Sequence, residues 1–273
     1  MKIIVPMAGR GQRFVELSGL VADYAVPKPM IRVIERPMVS WAIDSYKSFI
    51  SFNGEAGKPV NTSDLIFVCL REHEKQFRIS DFLRKTFDNN INIMFAEEVT
   101  RGPAETALLA EKFIDLDEDI IVSDCDHHFD AVPLWEAIKV NYGESKYVGI
   151  LPLIKPEDTV PSWSYVVLNS RNEVVEIREK DPELAKKMAY GVIGAYYFRR
   201  GSDFLSEAKK MIAENDRVGD PKKAEFYMSR IYQRLIERTG IVKTAFITSG
   251  YILGTPKQLQ RFLELYGGRP GGA

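Results

Sequence analysis

The sequence predicts an α/β protein: a mostly parallel sheet covered on both faces, with β-hairpins added to it. Two observations carry this expectation. Short, mostly apolar runs at residues 2–7, 65–70, 91–96 and 120–123 alternate with stretches of helical spacing. Strands buried on both faces read as such runs, and strand–helix alternation marks a parallel sheet. Past residue 146 the texture shifts to strand-like runs joined by turns, with Asn169-Ser170-Arg171-Asn172 reading as a hairpin turn.

The first strand, residues 2–7, breaks into a glycine loop at which no helix is expected, and residues 17–29 read as irregular. A helix is expected over 37–49, a surface loop over 51–63, a helix over 72–87 and another over 103–113. Pro37 and Pro103 suit first-turn positions, where a missing N–H costs nothing. Strands follow at 147–154, 163–168, 174–178 and 191–198, then helices at 202–214 and 226–237 and a late strand at 243–247. The last helix is expected over 255–265, with Thr255 as N-cap and Pro256 at the first helical position. Residues 1–266 are expected to form one domain. Residues 267–273, Gly-Gly-Arg-Pro-Gly-Gly-Ala, lack core-forming side chains and read as a flexible tail.

At 273 residues the chain is long enough to bury a sizeable core without staples. Its net charge of −1, from 37 basic and 38 acidic residues, argues against a nucleic-acid footprint. Cys69 and Cys125 are isolated in apolar stretches and make neither a disulfide framework nor a zinc site, which fits a reducing cytoplasm. No apolar run approaches the ~20 residues of a membrane span, and no signal peptide is expected.

Two segments point to chemistry. In the first, the strand at residues 2–7 opens into Ala8-Gly9-Arg10-Gly11-Gln12-Arg13, and Lys28 follows between Pro27 and Pro29. A strand that breaks into a glycine loop presents bare N–H groups at a sheet's carboxyl edge, where anions bind. Phe14 stands where a dinucleotide fingerprint needs its third glycine, and the Gly-Lys-Ser/Thr of a P-loop is absent. A tight turn needing glycine for positive φ is the structural alternative. Arg13 and Lys28 tip the balance toward phosphate. In the second segment, the buried strand at 120–123 ends in Asp124-Cys125-Asp126. Alternation along an extended chain turns both carboxylates the same way, and two hard oxygen ligands suit Mg²⁺ or Mn²⁺. The alternative is a polar strand end.

His127 and His128 point in opposite directions on an extended chain, and an ordinary loop role is favoured for both. Glu97 and Gly102 lie in a strand-to-helix connection, where a glycine would admit a ligand to the backbone. Glu179-Lys180, by itself, reads as a solvated surface pair.

Together these segments resemble the nucleoside-diphosphate-sugar pyrophosphorylases, nucleotidyltransferases that activate sugar phosphates. Residues 8–14 are similar to that family's glycine-rich loop, which ends in a catalytic arginine, here Arg13. Pro27-Lys28-Pro29-Met30 resembles its Pro-Lys-Pro-Leu segment, whose lysine contacts phosphates, and Pro37-Met38-Val39-Ser40-Trp41 the helix start after it. Thr100-Arg101-Gly102-Pro103-Ala104 stands at a loop that holds base and sugar. Asp126, four residues before Asp130, aligns with a metal-binding aspartate. Glu179-Lys180 and Gly194-Ala195-Tyr196 resemble sugar-phosphate-contacting segments, and Leu253-Gly254-Thr255-Pro256 a closing motif. Gly-Pro-Ala and Glu225-Phe226-Tyr227 resemble the branch found in capsule and surface-polysaccharide clusters. One departure stands out: Arg230 takes the place of a second metal-binding aspartate, leaving Glu225 or Asp124 to complete a cation site.

The resemblance implies a doubly wound, Rossmann-like sheet of the nucleotide-diphospho-sugar transferase (GT-A-like) fold. It implies an Mg²⁺- or Mn²⁺-dependent nucleotidyltransferase that joins a nucleoside triphosphate to a sugar 1-phosphate, or a related phosphate or phosphonate, and releases pyrophosphate. Arg13 and Lys28 would be catalytic. Ala8, Gly9, Gly11, Glu97 and Gly102 would bind the nucleotide; Glu179, Lys180 and Gly194 the sugar phosphate; Asp126 and Asp124 the metal. Two rivals remain: a nucleotide-sugar-dependent glycosyltransferase using Asp124-x-Asp126, and a non-catalytic nucleotide-binding module. No nucleic-acid or membrane partner is expected, and a homo-oligomer stays open, as do the base and the acceptor.

Overall fold

Ten strands, numbered here in chain order, form the main sheet of the computed structural model, which describes residues 1–52, 55, 57–144 and 146–266. The expected tail, residues 267–273, lies outside them. The strands are β1 (Lys2–Met7), β2 (Leu65–Leu70), β3 (Asn92–Ala96), β4 (Ile120–Ser123), β5 (Tyr147–Ile154), β6 (Ser164–Leu168), β7 (Val174–Glu179), β8 (Gly191–Val192), β9 (Ala195–Phe198) and β10 (Ile241–Phe246). Their order is β8-β6-β7-β10-β5-β9-β4-β1-β2-β3. The run β4-β1-β2-β3 is parallel, as is the β5–β10 pair. Strand β9 is antiparallel to both β4 and β5, and so joins the parallel part to the hairpin part.

The period-2 alternation of β1 divides the core. Ile3 and Val5 pack on one face with Phe67, Tyr46, Phe49 and Leu134, while Ile4 packs on the other with Val68, Phe204 and Ile231. A third cluster joins Phe14, Ile31 and Trp41 to Leu253 and to Leu259 and Phe262 of the last helix, Pro256–Tyr266. Strand Gly250–Ile252 pairs with His127–Phe129. Among the described residues no helix is long and apolar enough to cross a membrane.

Some expected elements are interrupted or start late, and other elements are unexpected, among them the helices Val132–Asn141 and Pro182–Lys186. The helix expected over 72–87 becomes two, Arg71–Phe77 and Ile79–Thr86, because Arg78 turns left-handed at φ 51°. Glu74 secures this break by accepting hydrogen bonds from the Ser80 backbone N–H and hydroxyl, at 2.9 and 2.7 Å. The strand expected over 191–198 is interrupted at Ile193-Gly194, with Gly194 at φ 89°. The helix expected from 226 starts at Met228. A short helix, Gln12–Val15, does open at the glycine loop, with Gly11 at φ 64° as its N-cap.

Candidate active site

One large cavity, about 1290 Å³, opens where the parallel strands end and the hairpin strands begin. Ala8, Gly9, Gly11, Arg13, Lys28, Glu97, Gly102, Asp124, Asp126, Glu179, Lys180 and Gly194 all line it. The connections after β1, β2, β3 and β4 contribute to this lining, as expected of loops at the carboxyl ends of parallel strands.

The two glycines of the first loop have different reasons. Gly11 sits at φ 64°, and a Cβ there would meet the Lys28 Cβ at 3.1 Å. Its bareness lets the loop lie against Lys28. A Cβ at Gly9 would meet nothing within 4 Å, so no packing requirement explains it. Arg13 makes no ion pair among the described residues. Lys28, by contrast, is committed: its Nζ donates to Asp126 Oδ2 at 2.8 Å.

Asp124 and Asp126 both reach the cavity. Burial and the nearby Asp126 carboxylate push the Asp124 carboxyl up to about 8, against the pull of Lys28. Burial works on Asp126 in the same sense, but the Lys28 charge and hydrogen bond hold that carboxyl below its ordinary value. Burial also opposes the Lys28 ammonium, yet Asp126, with Cys125 and Asp124, raises it above the usual lysine range. Two buried acids thus face one ammonium, and their oxygens are of the hard type that a divalent cation takes. No cluster of three or more His, Cys, Asp or Glu side chains suited to a metal exists among the described residues.

Two more glycines make room for these acids. A Cβ at Gly194 would lie 2.7 Å from Asp124 Oδ2, and one at Gly254 would lie 2.6 Å from Asp126 Oδ2. Gly194, at φ 89°, lies in the break between β8 and β9. Gly194 O accepts the Asp124 N–H at 2.8 Å while its missing side chain clears the carboxylate.

The histidines stay out of the cavity. His127 is buried beside Ser123, 3.3 Å away, and burial lowers its imidazole to about 4. His128 lies 3.1 Å from the Trp41 carbonyl.

Three readings change. Gly102 does not keep its backbone bare for a ligand alone, since a Cβ there would fall 2.5 Å from Phe226 N and 2.7 Å from Phe226 O. The close approach is to protein backbone. The Glu97 carboxylate is taken by Arg71, whose Nη2 and Nε donate to Oε1 at 2.9 and 3.1 Å. Glu179 is not a solvated surface group: its side chain is 8% exposed, and Oε2 accepts from the Ser164 and Ser229 hydroxyls at 2.5 and 2.9 Å. Arg230 lies outside the cavity lining, paired with Asp216 and Glu237 at 2.9 and 3.0 Å, whereas Glu225 lines the cavity.

Sequence reasoning gave Tyr227 no role of its own and passed over Ser229 and Ser164. Tyr227 belongs to a motif quoted only for its likeness, and no local pattern marks the two serine hydroxyls as partners of Glu179.

The nucleotidyl transferase family profile matches residues 2–233, most of the chain. The chain belongs to the nucleotidyl transferase family. No curated protein matches it. Solved structures of the same fold include a Vibrio cholerae RC9 nucleoside-diphosphate-sugar pyrophosphorylase, at 20% identity and TM-score 0.70, covering 96% of this chain and 99% of that one. A Bacillus anthracis protein assigned as a glucose-1-phosphate thymidylyltransferase, in complex with a sucrose, matches at 20% identity and TM-score 0.71, covering 100% and 98%. The inositol-1-phosphate CTP transferase of T. maritima matches at 16% identity and TM-score 0.64, covering 96% of each chain. The expected sheet is thus that of the family, with its antiparallel share larger than the sequence implied.

Proposed function

We propose that this nucleotidyltransferase joins a nucleoside triphosphate to a sugar 1-phosphate, or a related phosphate or phosphonate, and releases pyrophosphate. The observation that carries the proposal is the convergence on one cavity of the Arg13 loop, the Lys28–Asp126 pair and the Glu179–Lys180 pair. An acceptor phosphate oxygen attacks the α-phosphorus in line; the new O–P bond forms as the bond to the β-phosphate oxygen breaks. No protein nucleophile is needed, and catalysis is positioning plus charge stabilisation.

The uncommitted Arg13 guanidinium is placed to meet charge on the α-phosphate and the leaving pyrophosphate. Lys28 holds the acceptor's phosphate. The N–H groups of residues 8–11 cradle the triphosphate, with Glu97 and Gly102 framing the base and the Glu97 carboxylate held by Arg71. Glu179, Lys180 and Gly194 face the acceptor. Asp126 and Asp124 would hold Mg²⁺ or Mn²⁺, which when bound neutralises phosphate charge.

The strand inventory, with β1 and β10 in one sheet, supports residues 1–266 as one domain. Two free buried cysteines, Cys69 and Cys125, accord with a cytoplasmic setting. The Gly-Pro-Ala and Glu-Phe-Tyr segments support placing the enzyme in surface-polysaccharide synthesis.

The test is a panel of triphosphates and phosphate-bearing acceptors, read by pyrophosphate release with and without chelator. Metal-dependent release with one pair supports the proposal. Sugar transfer from a nucleotide sugar without pyrophosphate would favour the glycosyltransferase rival. Nucleotide binding without turnover across the panel would favour a sensing module.

A further inference from the structure

We infer that Tyr227 and Ser229 are positioning residues that fix Lys180 and Glu179 toward the acceptor, an inference that rests on the acceptor-side assignment proposed above. Lys180 adopts φ 53°, and its Nζ donates to the Tyr227 hydroxyl at 2.7 Å while lying 4.6 Å over that ring. Glu179 directs one oxygen, Oε2, to both the Ser164 and Ser229 hydroxyls, at 2.5 and 2.9 Å. Its other oxygen, Oε1, stays 3.9 Å from Lys180 Nζ, on a residue that lines the cavity. Both hydroxyl donors are buried, Ser164 at 7% and Ser229 at 2% exposure, so water is poorly placed to replace them. Two donors on one oxygen lock the carboxylate's rotation and leave the second oxygen available.

The supporting segment is itself anchored on both sides. Helix Met228–Glu237 lies along β7, where Gln233 Oε1 accepts the Ile177 N–H at 2.9 Å. Just before the helix, Phe226 O accepts from Ala104 N at 3.0 Å, and Phe226 N donates to Arg101 O at 2.9 Å. Residues 226–229 therefore tie the Gly102 loop to the Glu179–Lys180 pair. A purely structural role for Tyr227 and Ser229 would affect both substrates alike. A positioning role affects the acceptor.

Steady-state kinetics on Ser229→Ala, Ser229→Thr and Tyr227→Phe separate the two. Ser229→Ala and Tyr227→Phe should each raise the acceptor's KM by about three- to tenfold, the cost of one lost hydrogen bond, with the triphosphate's KM unchanged. Ser229→Thr, which keeps the hydroxyl, should restore the acceptor's KM. Equal rises for both substrates would overturn the inference. A second readout needs no turnover: labelling of Lys180 by an amine-reactive ester, quantified by peptide mass spectrometry. Tyr227→Phe should speed that labelling. Unchanged labelling overturns the positioning of Lys180 whatever the activity. Faster labelling in a protein that turns over no acceptor would sustain the positioning and defeat the functional reading instead.

Discussion

Arg13, Lys28 and Asp126 reach the cavity on connections that follow parallel strands, whereas Glu179 and Lys180 end a hairpin strand in the antiparallel half. The two groups are held differently. In the first, missing side chains and an ion pair set the geometry: Gly11 lies against Lys28, Gly254 clears Asp126, and Lys28 pairs with Asp126, 98 residues away. In the second, hydroxyl partners set it: Tyr227, 47 residues from Lys180, and Ser229, 50 from Glu179. The difference suggests a division of labour. On the proposed function, the parallel strand ends would place charge for the reacting phosphates, and the hairpin half would position the acceptor.

The largest expected effects fall on the first group. Asp126→Asn should abolish turnover, because it removes the charged partner of Lys28 and, on the proposed function, a cation ligand. Chelator should do the same to the wild type, and Asp124→Asn should do less. Arg13→Ala should lower turnover by about 10²-fold or more, in line with loss of a preorganised charge-stabilising donor, with the fold intact. Pyrophosphate release measures all four. Near wild-type turnover in folded Arg13→Ala, or losses smaller than those of Ser229→Ala, would reverse the proposed division.

Lys28→Met should come next. Lys28 starts between two prolines that restrict its backbone, and it ends on Asp126 at 2.8 Å. The variant should slow the chemical step by about tenfold or more and also raise the acceptor's KM. Lys28→Arg should retain part of the binding but lose rate, since a planar fork does not replace a point charge. If Lys28→Met left both constants unchanged, the Pro-Lys-Pro segment would be a structural turn.

Gly102→Ala probes the junction between the two groups. Gly102 sits at φ 148°, and a Cβ would lie 2.5 Å from Phe226 N. Neither backbone can yield without breaking the hydrogen bonds at Arg101 and Ala104. The expected cost is about 2 kcal/mol or more of stability, measured by urea unfolding. A variant as stable as wild type would mean that the two segments are not rigidly joined.

These contrasts also account for what could be read in advance. The four parallel strands were legible because burial on both faces leaves continuous apolar runs. That the glycine loop, Lys28 and both aspartates would share one cavity was legible because each lies in a short stretch with few structural uses. Arg78 was not, since an arginine in a left-handed break carries no local turn signal. The break at Gly194 was hidden because the neighbour it clears, the Asp124 carboxylate, comes from the connection after β4. Glu179 was misread as solvated for the same reason: the two hydroxyls that bury it lie on another strand and another helix. At Gly102 the neighbour's identity was hidden. The sequence calls for a close approach there but does not say that Phe226 makes it.

The smallest expected effect concerns acid stability and sharpens the comparison. All three histidines, His73, His127 and His128, precede the hairpin half. His73, 6% exposed on the helix that follows β2, is the one farthest from the reacting groups in sequence. Burial lowers its imidazole below the ordinary histidine value; Arg10 adds to this and Glu72 opposes it. The unfolded chain therefore takes up a proton at a pH where the native protein does not. Where the unfolded state binds more protons, stability rises with pH. The contribution from His73 is full above about pH 6.5, the unfolded value, and is lost as pH falls through the lowered native value. Urea midpoints measured from pH 8 to pH 5 should thus fall more steeply for wild type than for His73→Gln. His127 and His128 contribute equally to both proteins and cancel in the difference. Parallel curves would mean that His73 titrates alike in both states and that its burial carries no acid sensitivity.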